Sequence, residues 1–454
     1  MRRMLVHAPA DIAVLDEDPP ATAPQPEAAQ PVRWRLRTRI AFRLCFLYFT
    51  LYVLTTQMLG GLLVGVPLPN LGATGLLKDV LAWTATNVFK VSYPYVTTLT
   101  GSGDKTIDWM HAFCLLVVAV AATTVWSIVD RRRANYAPLH KWSHLCVRFA
   151  LGSTMISYGM VKVIPLQMPA PSLQRLVEPY GHFSPMGVLW YSIGASHAYE
   201  RFCGFAELTG GILLVIPQLS ILGALITLAD AVQIFTLNMT YDVPVKLLSF
   251  HLILMSLYVL APEAKRLMRV LVLNRTAEPS TQPPLFRGRR ALRIALGVQL
   301  AFAAYIVGMN LYQANQSWWR FGPGAPKSPL YGIWNVEEMR VDGVVRSALL
   351  GDYGRWRRLI FQNPAAMSFQ RMDDTFQAYG AKFDDAAKRL TLSSATDKAF
   401  GASFAIERPD PTRLILDGEM GGSKVRFDMR LLEREKFLLV SRGFNWIQER
   451  PFNR

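Results

Sequence analysis

The chain has 454 residues, 51% hydrophobic and only 18% charged, with a formal net charge of +16. That balance points to a membrane protein rather than a soluble globular one. The basic residues cluster beside apolar runs, as RWRLRTR at 33–39, RRR at 131–133 and RGRR at 287–290. Flanks of membrane helices carry such blocks, and their placement argues against nucleic-acid binding.

Residues 1–35 are rich in Pro and Ala with scattered acids. They predict a disordered cytoplasmic N-terminus. No apolar stretch closely follows Arg2 and Arg3, so no cleaved signal peptide is expected. A hydrocarbon core of about 30 Å needs roughly 20 apolar residues per helix. Seven segments qualify: 40–60, 108–129, 144–165, 198–217, 219–239, 245–262 and 290–312. They divide into two N-terminal spans within 36–142, four spans within 143–268, a cytoplasmic linker at 269–289 and a last span at 290–312. The basic connections before the first span, between the second and third, and between the sixth and seventh fall on one face. The positive-inside rule makes that face cytoplasmic and puts everything after 312 outside.

Two outer loops are long. Within 61–107, LLKDVLAWTATNVF predicts an amphipathic helix lying along the interface. Within 166–197, PYGHFSPMGVLWYSIGAS suits a re-entrant or interfacial segment. A third outer connection, LNMTYDVPVKLLSFH at 237–251, is short but carries Asp242, Lys246 and His251. Pro244 suits the first turn of the sixth helix, and Asp242 is placed to cap it.

From 329 to 454 the pattern changes to short alternating runs: YGIWNVEEMRV, RWRRLIFQ, AMSFQRM, RLTLSS, GASFAIE, TRLILDG, SKVRFDMRLL and KFLLVSRGFNWIQE. Turn signals such as Asp342-Gly343 and Asp417-Gly418 separate them. An antiparallel meander closing into a barrel or sandwich is predicted. The fold class is therefore a multi-span α-helical membrane bundle plus an all-β C-terminal domain. GIW (Gly332, Trp334) and the closing SRGFNW resemble the lipocalin-like barrels. That resemblance implies that Arg442, from the final strand, covers the Trp334 ring as a cation–π pair. An ordinary core tryptophan in another β meander is the alternative.

Ionisable side chains within spans are costly and mark candidate sites. The third span reads Arg148, Gly152, Met155, Gly159, Lys162; the fourth Glu200, Gly204, Glu207, Gly211; the fifth Gly223, Thr227, Asp230. Steps of three and four put each set on one helical face. Glycine permits close approach, so the stripes should face one another rather than lipid. Matching depths predict Lys162 beside Glu200, and Arg148 beside Glu207 or Asp230. Asp242, Lys246 and His251 would join them at the outer level. These charges read either as interhelical salt bridges or as an outer-leaflet polar pocket.

His111, His182, His197 and His251 fall near the outer face without a ligand spacing, so no metal or haem site is assigned. The four cysteines, Cys45, Cys114, Cys146 and Cys203, lie in apolar runs with no CxxC. They read as small buried residues, with Cys114 and Cys203 a candidate redox pair at similar depth.

RFALGSTMISYGMVKVIP, YERFCGFAELTGGILLVIP and TYDVPVKLLSFHLILMSLYVLAP together resemble the DoxX-like integral membrane family over roughly 143–268. The matching positions are Arg148, Gly159, Lys162, Glu207, Gly210 and Gly211. The resemblance implies a four-helix bundle associated with membrane redox complexes, with a quinone as the candidate cofactor. It also implies a bacterial inner membrane. Three functions follow: a redox- or quinone-associated protein, a lipid or small-apolar-ligand binding or transport protein, and a structural membrane module. The expected partners are the bilayer, a quinone or lipid ligand, and a protein docking on the extracytoplasmic β domain.

Overall fold

The computed structural model describes residues 33–68, 75–92, 96, 98, 100–280 and 282–453. The expected disorder of the N-terminus falls mostly on 1–32, outside the described residues.

Helix α1 (Leu36–Thr55) leads into a short α2 (Gln57–Leu62). The predicted first span, 40–60, thus breaks at Thr56. Its hydroxyl donates to Tyr52 O at 2.7 Å and accepts the Met58 N–H, capping α2. The expected amphipathic helix is α3 (Gly75–Asn87). Its Leu81 and Ala85 pack on Ile107 and Met110 of α4 (Thr106–Val129). After α5 (Ala137–Val163) the long loop folds into two helices, α6 (Leu173–Val177) and α7 (Pro185–Gly194). Then come α8 (His197–Val215), α9 (Ser220–Thr240), α10 (Lys246–Leu260), α11 (Ala264–Leu267) and α12 (Arg289–Arg320).

Among the described residues, five helical segments are long and apolar enough to cross a membrane: Leu36–Thr55, Thr106–Val129, Pro217–Thr240, Lys246–Val272 and Arg289–Arg320. These fit a multi-pass membrane protein. Val118, Val125 and Ile128 of α4 point outward, at 52%, 61% and 65% exposure, as side chains facing lipid would. The third and fourth expected spans, α5 and α8, are not among the five. They carry the charges, and they form the tightest helix pair in the bundle. Helices α5, α8, α9 and α10 close into a four-helix bundle, with α5 touching both α8 and α10.

Glycine sets the α5–α8 spacing. A Cβ on Gly159 would stand 2.6 Å from Leu208 N, and one on Gly211 2.8 Å from Gly152 O. A Cβ on Gly204 would meet Val163 N at 2.6 Å, and one on Gly223 would meet Leu214 N at 2.5 Å. The small-residue stripes face one another as their spacing predicts.

The three basic blocks converge at one end of the bundle. Trp34 N–H donates to Ala134 O at 2.9 Å. Arg39 Nη1 donates to Arg131 O and Arg133 O at 3.0 and 2.6 Å. Lys141 Nζ donates to Pro284 O and Leu285 O, both at 3.1 Å. Buried Arg43 donates to Asp130 O and to the Tyr136 hydroxyl. Such cations suit the carbonyl end of α4.

The C-terminal domain is an antiparallel barrel: β1 (Gly332–Val341), β2 (Val344–Val345), β3 (Trp356–Asn363), β4 (Ala366–Arg371), β5 (Phe376–Asp384), β6 (Arg389–Ser393), β7 (Gly401–Asp410), β8 (Arg413–Met420) and β9 (Ser423–Leu432). Eight strands run as a meander and β1 pairs with β9 to close it; two-residue β2 only extends the end of β1. The core is aromatic and dense, with Trp356 stacked on Phe369 at 4.0 Å and Tyr379 on Phe400 at 4.3 Å.

Three strand-level expectations are corrected. Strand β5, FQAYGAKFD, has little β-branched character and escapes the pattern. Asp417-Gly418 lies inside β8, and the turn to β9 is Gly421-Gly422, at φ +59° and +85°. Gly418 is a notch instead: a Cβ there would stand 2.0 Å from Ser403 O on β7. Finally, KFLLVSRGFNWIQE is no strand. The chain leaves the barrel after Leu432 and forms α13 (Leu438–Ser441). Arg442 therefore lies over Phe452, at 4.7 Å, and Arg408 takes the place over Trp334, at 5.6 Å. Trp334 is fully buried, and its indole N–H donates to Leu330 O at 2.9 Å.

Candidate functional site

A cavity of about 250 Å³ lies among α5, α8, α9 and α10, roofed by Gln167, Met168 and α7. Most of its wall is apolar, from Met155, Ile193, Ile234, Leu237 and Leu252. Its charged groups are Lys162 and Glu207. Lys162 Nζ donates to Glu207 Oε1 and Oε2 at 2.5 and 2.8 Å, with side chains only 7% and 3% exposed.

Helix geometry explains this pairing and corrects the expected one. Lys162 stands three residues beyond Gly159, and Glu207 three beyond Gly204. Side chains lean toward their helix N-terminus. The helices are antiparallel, so both side chains return to the Gly159–Gly204 crossing and meet there. Glu200, although level with Lys162 at its Cα, leans the opposite way. Its Oε1 accepts the Met168 N–H at 3.0 Å, and its Oε2 stands 3.7 Å from His197 Nδ1. Glu200 thus ties down the roof rather than neutralising Lys162.

The same geometry separates Arg148 from the carboxylates. It leans away from the cavity, and its Nη2 donates to Gln299 Oε1 on α12. Asp230 does not line the cavity, although its helix level matches that of Glu207, and its Oδ2 is buried without a partner.

Of the outer-level trio, Asp242 and Lys246 stay paired and His251 parts from them. Lys246 bridges Asp242 at 2.9 Å and Asp104 at 3.8 Å. The cap of α10 is Asp104, whose carboxylate accepts the N–H groups of Lys246 and Leu247 at 2.8 and 2.9 Å. Asp242, at φ +53°, is a turn residue with its side chain 85% exposed, and Pro244 precedes the helix. His251 faces α1: its Nε2 lies 2.6 Å from the Tyr48 hydroxyl and its ring stacks 3.9 Å from Tyr52. All four cysteines are free thiols. Cys203 lines the cavity, while Cys114 packs against α3 beside Thr84.

Sequence reasoning missed the polar groups that finish the cavity. Asn238 donates to Ser249 Oγ at 3.0 Å and to Val245 O at 3.3 Å. Trp190 donates its indole N–H to Gln167 O at 2.9 Å. Gln167 Oε1 is buried and accepts no hydrogen bond among the described residues. Lys162 has three N–H bonds and Glu207 offers two oxygens, so one N–H is left for a further acceptor. A mostly apolar cavity that offers a donor at Lys162 and an acceptor at Gln167 can hold a small molecule that carries both kinds of polar group on an apolar body.

Among known proteins, no family model and no solved structure matches the chain. The uncharacterized protein YwoB of Bacillus subtilis is 31% identical over 123 residues, covering 27% of this chain and 78% of YwoB. The chain belongs to the YwoB family. That relationship covers about a quarter of the chain and leaves the activity to be argued from the site.

Proposed function

We propose that the chain is a DoxX-like, quinone-associated protein of the bacterial inner membrane, binding the ring of a quinone or quinol in the Lys162–Glu207 cavity. The observation that carries this reading is an unused Lys162 N–H and an unpartnered Gln167 Oε1 in the same mostly apolar cavity. A quinone carbonyl would accept from Lys162. The hydroxyl of a quinol would donate to Gln167. At about 250 Å³ the cavity suits a ring rather than a whole drug-sized ligand, for which pockets of about 300–1,000 Å³ are usual.

In this reading all seven predicted segments span, with α5 largely enclosed by its neighbours and α8 presenting Phe202 and Phe205 outward. The N-terminus is cytoplasmic, and the lipocalin-like barrel is extracytoplasmic. The barrel's stacked aromatic core favours the bundle as the ligand site and leaves the barrel as a docking module.

The test is titration of the purified full chain with a short-chain quinone, following quenching of tryptophan fluorescence, together with mass spectrometry of its organic extract. Saturable quenching that is lost in the Lys162→Met/Glu207→Leu double variant supports the proposal. No bound quinone and no saturable quenching would refute it. A co-purifying lipid that occupies the same cavity would instead support binding or transport of a small apolar ligand.

A further inference from the structure

A second cavity, of about 630 Å³, opens at the end of the bundle where the basic blocks converge. It lies between the start of α5, the α8–α9 turn, the end of α10, the linker at Ser280 and 282–285 and the start of α12. Among the described residues, Lys141, Arg148, Arg266 and Arg293 line it, against a single carboxylate, Glu263. Glu263 is already engaged by Arg266 at 3.4 Å and by the Ser280 hydroxyl.

Arg148 is the telling residue. It is 6% exposed, and among the described residues no carboxylate pairs with it. Its hydrogen bond goes to the neutral amide of Gln299, and its Nε is buried with no partner. A guanidinium held away from water, unpaired and with unused donors, is strongly unfavourable unless an anion completes it. Gln299 is itself committed, its Nε2 donating to Ala295 O at 3.1 Å. Fourteen residues of α5 separate Arg148 from Lys162, about 21 Å along the axis at 1.5 Å per residue. This cavity is therefore a different site from the one above.

We infer that this basic cavity binds a phosphate group, with Arg148 as its deep ligand and Arg293 at its mouth. The planar fork of arginine suits two phosphate oxygens at once. Basic pockets between membrane helices on the cytoplasmic side take lipid head groups in the same way. A lipid phosphodiester and free inorganic phosphate share this chemistry.

The test uses the full chain in neutral detergent, with the melting temperature followed against added phosphatidylglycerol, phosphatidylcholine or inorganic phosphate. A ligand that binds only the folded state raises that temperature as its concentration rises. A rise with phosphatidylglycerol but not with phosphatidylcholine or phosphate supports an anionic-lipid site. A rise with inorganic phosphate supports a free-anion site. In either case Arg148→Gln should abolish the rise, and Arg293→Gln should move its midpoint to about tenfold higher ligand. If Arg148→Gln does not fold, Arg293→Gln carries the test alone. No rise with any probe, or a rise unchanged in the variants, would overturn the inference.

Discussion

The Lys162–Glu207 pair gives the sharpest prediction. Both side chains are nearly inaccessible, at 7% and 3%, and the contact is double, at 2.5 and 2.8 Å. Removing one partner of such a pair leaves an uncompensated buried charge, at a cost of about 3–5 kcal/mol. At 1.4 kcal/mol per tenfold, that is roughly two to three and a half powers of ten in the folding equilibrium. Replacing both partners with apolar residues of similar volume is often neutral or stabilising, by about 1–4 kcal/mol. Lys162→Met and Glu207→Gln should each lower stability by that first amount, and Lys162→Met/Glu207→Leu should recover most of it. The assay is reversible unfolding in mixed micelles with increasing dodecyl sulfate. Single variants within about 0.5 kcal/mol of wild type, or a double variant as unstable as the singles, would show that the pair is not the buried, coupled contact described here. A stable double variant also separates roles: retained fold with lost quinone quenching marks the pair as functional.

Four further outcomes are expected. Gly159→Ala should destabilise by about 1–3 kcal/mol, because its Cβ would meet Leu208 N at 2.6 Å. Gly308→Ala on α12, with nothing within 4 Å, should be neutral or stabilising by up to about 1 kcal/mol; unfolding in mixed micelles compares the two. Asp104→Ala should cost about 1 kcal/mol through loss of the α10 cap, seen as faster hydrogen exchange at Lys246 and Leu247; unchanged exchange there would contradict the capping role. In the barrel, hydrogen bonds from Arg413 to Asp428, at 3.0 and 2.5 Å, hold that carboxyl below its ordinary range. A depressed folded pKa means stability that is present above the unfolded value, about 3.9, and lost as pH falls through the folded one. Asp428→Asn should therefore expose β8 and β9 to faster exchange near pH 6, by a margin that shrinks as pH falls below about 3.9, and a constant difference on that descent would exclude the linkage.

Periodicity carried most of the helical architecture. Apolar runs located α4, α9, α10 and α12, and the glycine stripes of α5 and α8 foretold their contact, because backbone approach depends on residue size alone. Charge pairing was less legible. Counting depth along the spans places Cα atoms, whereas a lysine or glutamate acts several ångströms away, along a direction fixed by its helix. On antiparallel helices that direction reverses, and so Lys162 found Glu207 and missed Glu200. The cap of α10 was illegible for another reason: Asp104 reaches it from a loop 142 residues earlier, and no local pattern encodes that contact. In the barrel, Gly418 read as a turn because glycine serves both turns and close strand approach, and only the neighbouring strand distinguishes them.

The barrel and the cavity are joined by one loop. Leu173 of α6 is buried between Ile333 and Ile360 of the barrel, and its N–H donates to Gln362 Oε1 at 2.9 Å. Gln370 Nε2 donates to Val177 O at 3.2 Å at the other end of α6. The cavity roof lies on both sides of this anchor, Gln167 and Met168 before it and α7 after it. On the bundle side, Glu200 holds Met168 and the close approach of Gly194 to Pro169 O, 2.3 Å from an added Cβ, holds α7. The roof is thus held on both sides, by the barrel through α6 and by the bundle through Glu200 and Gly194.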